Sequence, residues 1–233
     1  MINLRCFLIM YSLTFGYVIG QSNEECVNNL SIFAESAKIK NYDAAYDTWL
    51  LVLNECPKLN LAIFTYGERI LKHKIKNASG ESQESFKQDL ISLYDNWIIN
   101  FPTKKGISRV GSILSTKAQA LIDYKMADDA TIYSVFDEAY KKDPNSFTSP
   151  KGLYNYFDTL YKQYKASAVS TEDLFNKYEE ISEKFEIEST NLAKNLDKIL
   201  IKEEQGEPLT KREVKNKRVY EVNSRAIAIL LKN

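Results

Sequence analysis

Three prolines recur along the chain at intervals of 45 and 42 residues, and each of them closes an amphipathic segment. The segments are AYDTWLLVLNECP, LISLYDNWIINFP and TIYSVFDEAYKKDP, which end at Pro57, Pro102 and Pro144. An aromatic residue stands eight positions before each proline and an apolar residue twelve positions before it, so these positions share one face of a helix. Because proline cannot continue a helix, each segment is predicted to be a helix that stops there.

Each proline-ended helix is preceded by a second helical segment, so we predict a chain of helical hairpins. The preceding segments span residues 25–38, 61–74 and 106–124. The polar stretch at 76–84 is predicted to be a loop. Because such units bury their apolar faces only against neighbours, we expect antiparallel hairpins stacked side by side.

Beyond Pro144 the sequence carries a capping signal at the start of each further helix. These signals are Ser149 followed by Pro150 at the first helical position, Ser170 with Asp173, and Thr210 with Glu213. They predict a helix from about residue 150, a long helix to about residue 200 and a last helix to about residue 231. No convincing strand pattern is present, so the predicted fold class is all-α.

Residues 1–20 have the pattern of a signal peptide. Arg5 supplies a positive charge before an apolar run at 6–20, and Gly20 is a small residue at the expected cleavage position. The run is shorter than the roughly 20 residues of a membrane-spanning helix, and an uncleaved anchor is the alternative. We therefore expect an exported chain with no membrane span after cleavage. Helical repeats would occupy 21–205, and a C-terminal helix at 206–233 could begin a further repeat.

Export affects the interpretation of the cysteines. Cys6 would leave with the signal peptide, so the mature chain keeps Cys26 and Cys56. An even pair in an oxidising compartment favours a disulfide. Cys26 stands near the start of the first predicted helix and Cys56 near the end of the second, so both lie at the open end of one antiparallel hairpin. Two free buried thiols are the alternative.

The segment NYDAAYDTWLLVLNECP and the helix after it resemble the tetratricopeptide repeat, a family of stacked helical hairpins. The matching positions are Tyr42 at the start, Ala45 at the small-residue position, Trp49 at the aromatic position, Pro57 at the end, and Tyr66 followed by Gly67 in the next helix. The later units resemble it in outline, with Tyr94 before Pro102 and Phe136 before Pro144. The stretch from Cys26 through CPKLN and YGERILKHKI is similar to exported tetratricopeptide proteins of the Bacteroidetes type.

This resemblance spans roughly residues 22–230 and implies a right-handed helical superhelix. Such a protein binds protein partners and performs no chemistry of its own. The matching positions named above would then pack the repeats together. A fold analogy does not name the partner.

Composition and motifs exclude several other functions. The 31 basic and 31 acidic residues balance, which argues against a dedicated nucleic-acid-binding protein. The single histidine, His73, stands in a basic stretch, and the sequence places no carboxylate beside it. The acidic pairs at 128–129 and 203–204 have neither the spacing nor the glycine of a calcium loop, and Asp128 or Asp129 is better explained as a helix cap. We therefore expect no catalytic residue, no metal and no cofactor; an envelope hydrolase is a distant alternative.

Aromatic residues crowd the segment after Pro150. Tyr154, Phe157, Tyr161 and Tyr164 follow helical spacing and are predicted to face the core. Tyr156 and Phe147 remain as candidates for an exposed recognition face, with plain core packing as the alternative. An aromatic groove for sugar stacking would instead make the protein an envelope glycan-binding module.

The apolar stretch AIAILL at 226–231 bears on how the repeats end. A stack of repeats normally ends in a capping unit with a polar outer face, which this stretch does not provide. It would pack back onto the preceding helix or bind missing repeats, a second copy or another protein. We predict an exported scaffold, periplasmic or at the cell surface, that binds proteins and can self-associate through its C-terminal helix.

Overall fold

The structure is a computed structural model that describes the backbone of residues 23–230 and the side chains of residues 23–225. This part of the chain forms nine helices and one two-stranded hairpin, which confirms the all-α prediction. The predicted signal peptide and the side chains of AIAILL lie outside the described residues. The chain divides into two compact units, one ending at Phe101 and one beginning at Pro102.

The N-terminal unit is built from four helices joined by short connections. They are α1 (23–38), α2 (Tyr42–Glu55), α3 (Ala62–Asn77) and α4 (Gly80–Asn100). Helix α3 packs against both α2 and α4. The core of the unit is made of one apolar face from each helix, including Phe33, Ala45, Trp49, Ile63, Phe64, Leu71, Leu90, Tyr94 and Trp97.

The C-terminal unit consists of a short hairpin followed by five helices. They are β1 (Thr103–Lys104), β2 (Ile107–Ser108), α5 (Val110–Asp123), α6 (Asp129–Lys142), α7 (Pro150–Lys165), α8 (Thr171–Glu204) and α9 (Lys211–Leu230). Each helix packs against the next in sequence, and α7 also contacts α5 and α9. The core lies among α5, α6 and α7, where Leu121, Phe136 and Leu160 are buried.

Helices α2, α4 and α6 end at Glu55, Asn100 and Lys142, two residues before the three prolines. Of the positions matched to the repeat pattern, Ala45, Trp49, Gly67, Tyr94 and Phe136 are buried, and Tyr66 and Pro57 are half-buried. Pro102 and Pro144 are exposed. These two prolines therefore act on the backbone, by stopping a helix, and contribute little to the core.

The predicted caps are confirmed. Ser149 Oγ accepts a hydrogen bond from the Gly152 amide at 3.1 Å, and Asp128 accepts one from the Thr131 amide at 2.8 Å. Ser170 caps α8 in the same way. At the start of α9, the Thr210 amide donates to the Glu213 carboxylate at 2.7 Å, and the Glu213 amide donates to Thr210 Oγ1 at 3.2 Å. The bonds from Thr210, together with Lys202, lower the pKa of Glu213 to about 2.

The predicted loop at 76–84 is wrong, because only Ala78 and Ser79 separate α3 from α4. Gly80 has a φ of 59°, which lets the chain reverse within these few residues. The side-chain Nε2 of Gln83 then donates to the carbonyl oxygens of Ile75 and Ala78 at 2.9 Å each. The polar residues that suggested a loop thus form the first turns of α4, and Gln83 provides a hydrogen bond to a carbonyl group at the end of α3.

The predicted helix at 106–124 begins four residues later, at Val110. The residues at which we predicted the helix to start belong instead to a β-hairpin, in which Thr103 pairs with Ser108 and Lys104 with Ile107. The two turn residues, Lys105 and Gly106, have φ values of 53° and 77°. Positive φ at both central positions is the requirement of a type I′ turn, which a helix cannot accommodate.

Cys26 and Cys56 form a disulfide with their Cα atoms 6.3 Å apart. The bridge joins the start of α1 to the residue that follows α2, as predicted, and it rules out the alternative of two free thiols. None of the helices in the described part of the chain combines the length and the hydropathy that a membrane span requires.

Candidate interaction surface in the C-terminal unit

The fully buried stripe of α7 is adjacent to the predicted one and does not coincide with it. Tyr156 and Phe147, the two candidates for exposure, are fully buried. The Phe147 ring stacks on Phe136 with centroids 5.9 Å apart, and its edge lies where a Cβ at Gly152 would come within 2.8 Å. The turn before α7 therefore folds Phe147 back under the helix. Leu153, Tyr156 and Leu160 form the buried stripe.

The hydroxyl group of Tyr156 has a hydrogen-bond partner inside this core. The phenol donates a hydrogen bond to Asp137 Oδ1 at 2.6 Å, and Lys141 pairs with the other carboxylate oxygen at 2.6 Å. Burial, together with this bond, raises the pKa of Tyr156. Tyr156 is therefore a packing residue and not a recognition residue.

The aromatic residues that we predicted to be core instead lie at the junction of α7 and α8. Tyr154, Phe157 and Tyr164 are half-buried, and Tyr161 is 40% exposed. We call the exposed and half-buried rings of this junction the aromatic surface: Phe157, Tyr161 and Tyr164 from α7 and Phe175 and Tyr178 from α8. Phe175 is 61% and Tyr178 47% exposed. Large exposed rings that lie together, unlike single exposed apolar residues, are typical of interaction sites.

Ring contacts hold four rings of the aromatic surface in place: Phe157, Tyr161, Tyr164 and Tyr178. The Phe157 centroid lies 5.1 Å from that of Tyr178, which ties α7 to α8. Along α7, Phe157 stacks near Tyr161 at 6.5 Å and Tyr161 near Tyr164 at 6.4 Å. Rings held by such contacts lose little further freedom when a partner binds.

An apolar pocket of about 280 Å³ opens beside these rings. Its walls come from α7 and α8 and comprise Leu153, Tyr154, Phe157, Tyr178, Ile181, Ser182 and Phe185. Ser182 provides the one aliphatic hydroxyl among these residues. The pocket therefore suits an apolar side chain and offers few hydrogen bonds to a polar ligand.

The charge beside Tyr161, at one edge of the aromatic surface, is positive. The Lys165 ammonium lies 4.7 Å from the Tyr161 ring centroid, and among the described residues it has no carboxylate partner. Its neighbour Lys162 is already paired with Asp129 at 3.1 Å and Asp158 at 3.0 Å. An acidic group that binds beside Tyr161 would therefore be attracted to Lys165.

Phe175 and Tyr178 were not among the site residues predicted from the sequence. A signal was available, since Phe175, Tyr178 and Phe185 are three and seven residues apart and share one face of a helix. That stripe alone would have indicated core packing. The structure shows instead that α8 buries Ile181 and Ile199 and leaves these rings at its surface.

His73 has a carboxylate neighbour after all, contrary to our expectation. Asp43 stands 30 residues earlier in the sequence, and its Oδ2 lies 3.0 Å from His73 Nε2. Lys74 binds the other oxygen at 3.0 Å, and these bonds, the one with His73 first, lower the pKa of Asp43. Asn77 also lies within hydrogen-bond distance of the imidazole. Because Asp43 is 67% exposed, this cluster is a surface link between α2 and α3.

Three of the four residues in the acidic pairs have partners that explain their positions. Asp128 caps α6, Asp129 pairs with Lys162, and Glu203 pairs with Lys217. Within residues 23–225, no group of three His, Cys, Asp or Glu side chains converges in a way that could hold a metal ion. No protein family, no curated protein and no solved structure matches this chain.

Proposed function

We propose that this chain is an exported protein-interaction scaffold that binds a protein partner through the aromatic surface and performs no chemistry itself. The observation that carries the proposal is the exposure of Tyr161, Phe175 and Tyr178 at the junction of α7 and α8, where Tyr178 also lines an apolar pocket. Tyrosine and other aromatic residues in such positions dominate the binding energy of protein interfaces.

The lining of the pocket supports a protein partner over a glycan at this site. A saccharide needs several hydrogen-bonding groups, and the pocket supplies the hydroxyl of Ser182 and those of its two tyrosines. An apolar side chain needs a hydrocarbon lining, which Leu153, Phe157 and Ile181 provide. We therefore propose a partner segment with one large apolar residue for the pocket and an acidic residue for Lys165.

The arrangement of helices supports a tetratricopeptide-like superhelix as the finer fold. Consecutive helices pack as hairpins within each unit, and α5 contacts α7, the first helix of the next hairpin. This is the neighbour relation that stacked hairpins require. The Cys26–Cys56 disulfide supports export, because disulfides persist in oxidising compartments.

A crosslinking experiment tests the proposal. A photoreactive phenylalanine analogue replaces Tyr161, Phe175 or Tyr178 in turn, and the protein is expressed and irradiated in its native cell. We expect one and the same protein to be crosslinked from all three positions, and not from the exposed α6 position Ser134. Crosslinks to different proteins from the three positions would contradict a single docking surface.

The identified partner then allows a quantitative measurement. We expect Tyr178→Ala to weaken its binding at least tenfold, which corresponds to about 1.4 kcal/mol. Ile187→Ala is the matched control, because Ile187 is 48% exposed on the same helix and lies outside the pocket. Equal affinity of the two variants would refute the proposed surface.

A further inference from the structure

A second cleft in the C-terminal unit has the opposite chemistry. It measures about 350 Å³ and lies where the starts of α5 and α7 face α8 and α9. Nine of its thirteen lining residues are Ser, Thr or Asn, and a tenth is Tyr220. Its volume falls at the lower end of the range for small-molecule sites.

Helical spacing brings the polar groups of two helices to this cleft. Asn191 and Asn195 stand one turn apart on α8, and Tyr220 and Asn223 stand nearly one turn apart on α9. The two helices are held together as a hairpin by the ion pairs Lys202–Glu213 at 3.0 Å and Lys217–Glu203. The amide groups of both helices therefore face the same space.

The amide side chains are available for a ligand. Within the part of the chain that the structure describes, Asn191, Asn195 and Asn223 make no side-chain hydrogen bond. Each amide offers two donors and one acceptor oxygen. Thr148, at the opposite wall, is exposed and has no side-chain partner among the described residues.

The cleft carries no net charge. Its single ionisable carboxylate, Glu188, is bound by Lys184 at 2.6 Å, and both side chains are largely buried, at 13% and 16% exposure. This pair neutralises the one charge that would attract a cation. The remaining lining groups both donate and accept hydrogen bonds, which is the requirement of a neutral ligand with many hydroxyl groups.

We propose that this cleft binds a neutral saccharide of one or two sugar units. Asn191 and Asn195 bind adjacent hydroxyl groups of the sugar from α8, and Asn223 binds from α9. The half-buried ring of Tyr220 provides an apolar face for the C–H side of the sugar. This site is independent of the aromatic surface, because the two share no residue.

The test uses the mature chain and a panel of neutral sugars: glucose, galactose, N-acetylglucosamine, maltose and cellobiose. Glucuronate and phosphate are the charged comparison ligands. Saturation-transfer NMR and calorimetry at millimolar concentrations measure binding. We expect at least one sugar to bind saturably and the double variant Asn191→Ala/Asn195→Ala to weaken its affinity at least tenfold. Asn176→Ala, an exposed asparagine of the same helix outside the cleft, should bind like the wild type.

The other outcomes overturn the proposal. Failure of every sugar in the panel to bind would mean that the cleft holds water only, and binding of glucuronate or phosphate alone would contradict a neutral ligand. Sugar affinity that is unchanged in the double variant would place the site elsewhere. Thermal unfolding by circular dichroism shows whether each variant is folded, and alanine at these exposed helix positions favours the helix. By contrast, we expect the Tyr178→Ala variant to retain sugar binding, because Tyr178 belongs to the aromatic surface and not to the cleft.

Discussion

The indole ring of Trp49 occupies the space that a side chain at position 67 would need. A Cβ on Gly67 would lie 2.6 Å from Trp49 Cζ2 and 2.7 Å from two further ring atoms. The ring is held there by a hydrogen bond that its Nε1–H donates to the carbonyl oxygen of Ile63 at 2.8 Å. The closeness of α2 and α3 therefore depends on a glycine in one helix and a tryptophan in the other.

Gly67→Ala is expected to destabilise the protein by about 1–3 kcal/mol, because the ring must move and its bond to Ile63 lengthens. Alanine is favoured over glycine in a helix by about 1 kcal/mol, so an unhindered site would show the opposite sign. Urea unfolding measures the difference. Lys76→Ala, at an exposed position of α3, is the control. A more stable Gly67→Ala variant would show that the two helices separate easily.

Loss of the disulfide should lower the free energy of unfolding by about 3–4 kcal/mol, because the bridge closes a loop of about 30 residues in the unfolded chain. Urea unfolding of the Cys26→Ser/Cys56→Ser variant and of the reduced wild-type protein should agree. Identical unfolding of the oxidised and reduced forms would argue against this contribution.

Asp143 ties the end of α6 to the start of α5 and should make stability depend on pH. Burial raises the pKa of this carboxyl, but hydrogen bonds from Ser108, Ser146 and the Gly111 amide outweigh it, so the pKa lies below its ordinary value. The stabilisation is complete above the ordinary value of about 3.9 and is lost as pH falls through the lower folded-state value.

Asp143→Asn is therefore expected to cost about 1–3 kcal/mol at neutral pH, and the cost should shrink as the solution is acidified. Urea unfolding between pH 7 and pH 3 checks this, with the exposed Glu179→Gln as control. A cost that stays constant down to low pH would mean that the negative charge of Asp143 plays no part.

Tyr156→Phe should destabilise the C-terminal unit by about 1.5–3 kcal/mol, because the half-buried Asp137 carboxylate, a charged acceptor, loses the hydrogen bond that the Tyr156 hydroxyl donates. Tyr154→Phe should change little, since the Tyr154 hydroxyl has no hydrogen-bond partner among the described residues. Thermal unfolding of the two variants distinguishes them. Equal stabilities would contradict the role given to the Tyr156–Asp137 bond.

The helix caps and helix ends were predicted best, because they depend on residues close by in the sequence. The caps at Ser149, Ser170 and Thr210 depend on residues three positions away, and the helix ends before Pro57 depend on the proline itself. The type I′ turn at residues 105–106 is also local. It was missed because a glycine after a lysine was interpreted as a helix start.

The face of α7 could not be predicted from α7 alone. Two stripes of this helix are apolar, one with Leu153, Tyr156 and Leu160 and the other with Phe157 and Tyr161. The choice between them is made by Phe147, which folds beneath the first stripe, and that contact depends on the turn before Pro150. The neighbourhood of His73 and Asp43 likewise comes from packing α3 on α2.

Helix α8 has 34 residues, about 51 Å in length, and among them only Ile181 and Ile199 are buried. Little apolar area thus opposes the separation of the second half of α8 from the remainder of the unit. Amide protons of this segment should exchange with solvent through local opening, while those of α5 and α6 should exchange only on global unfolding. A sugar that bridges Asn195 and Thr148 would slow that exchange, so the ligand would act as a clasp on this part of the helix.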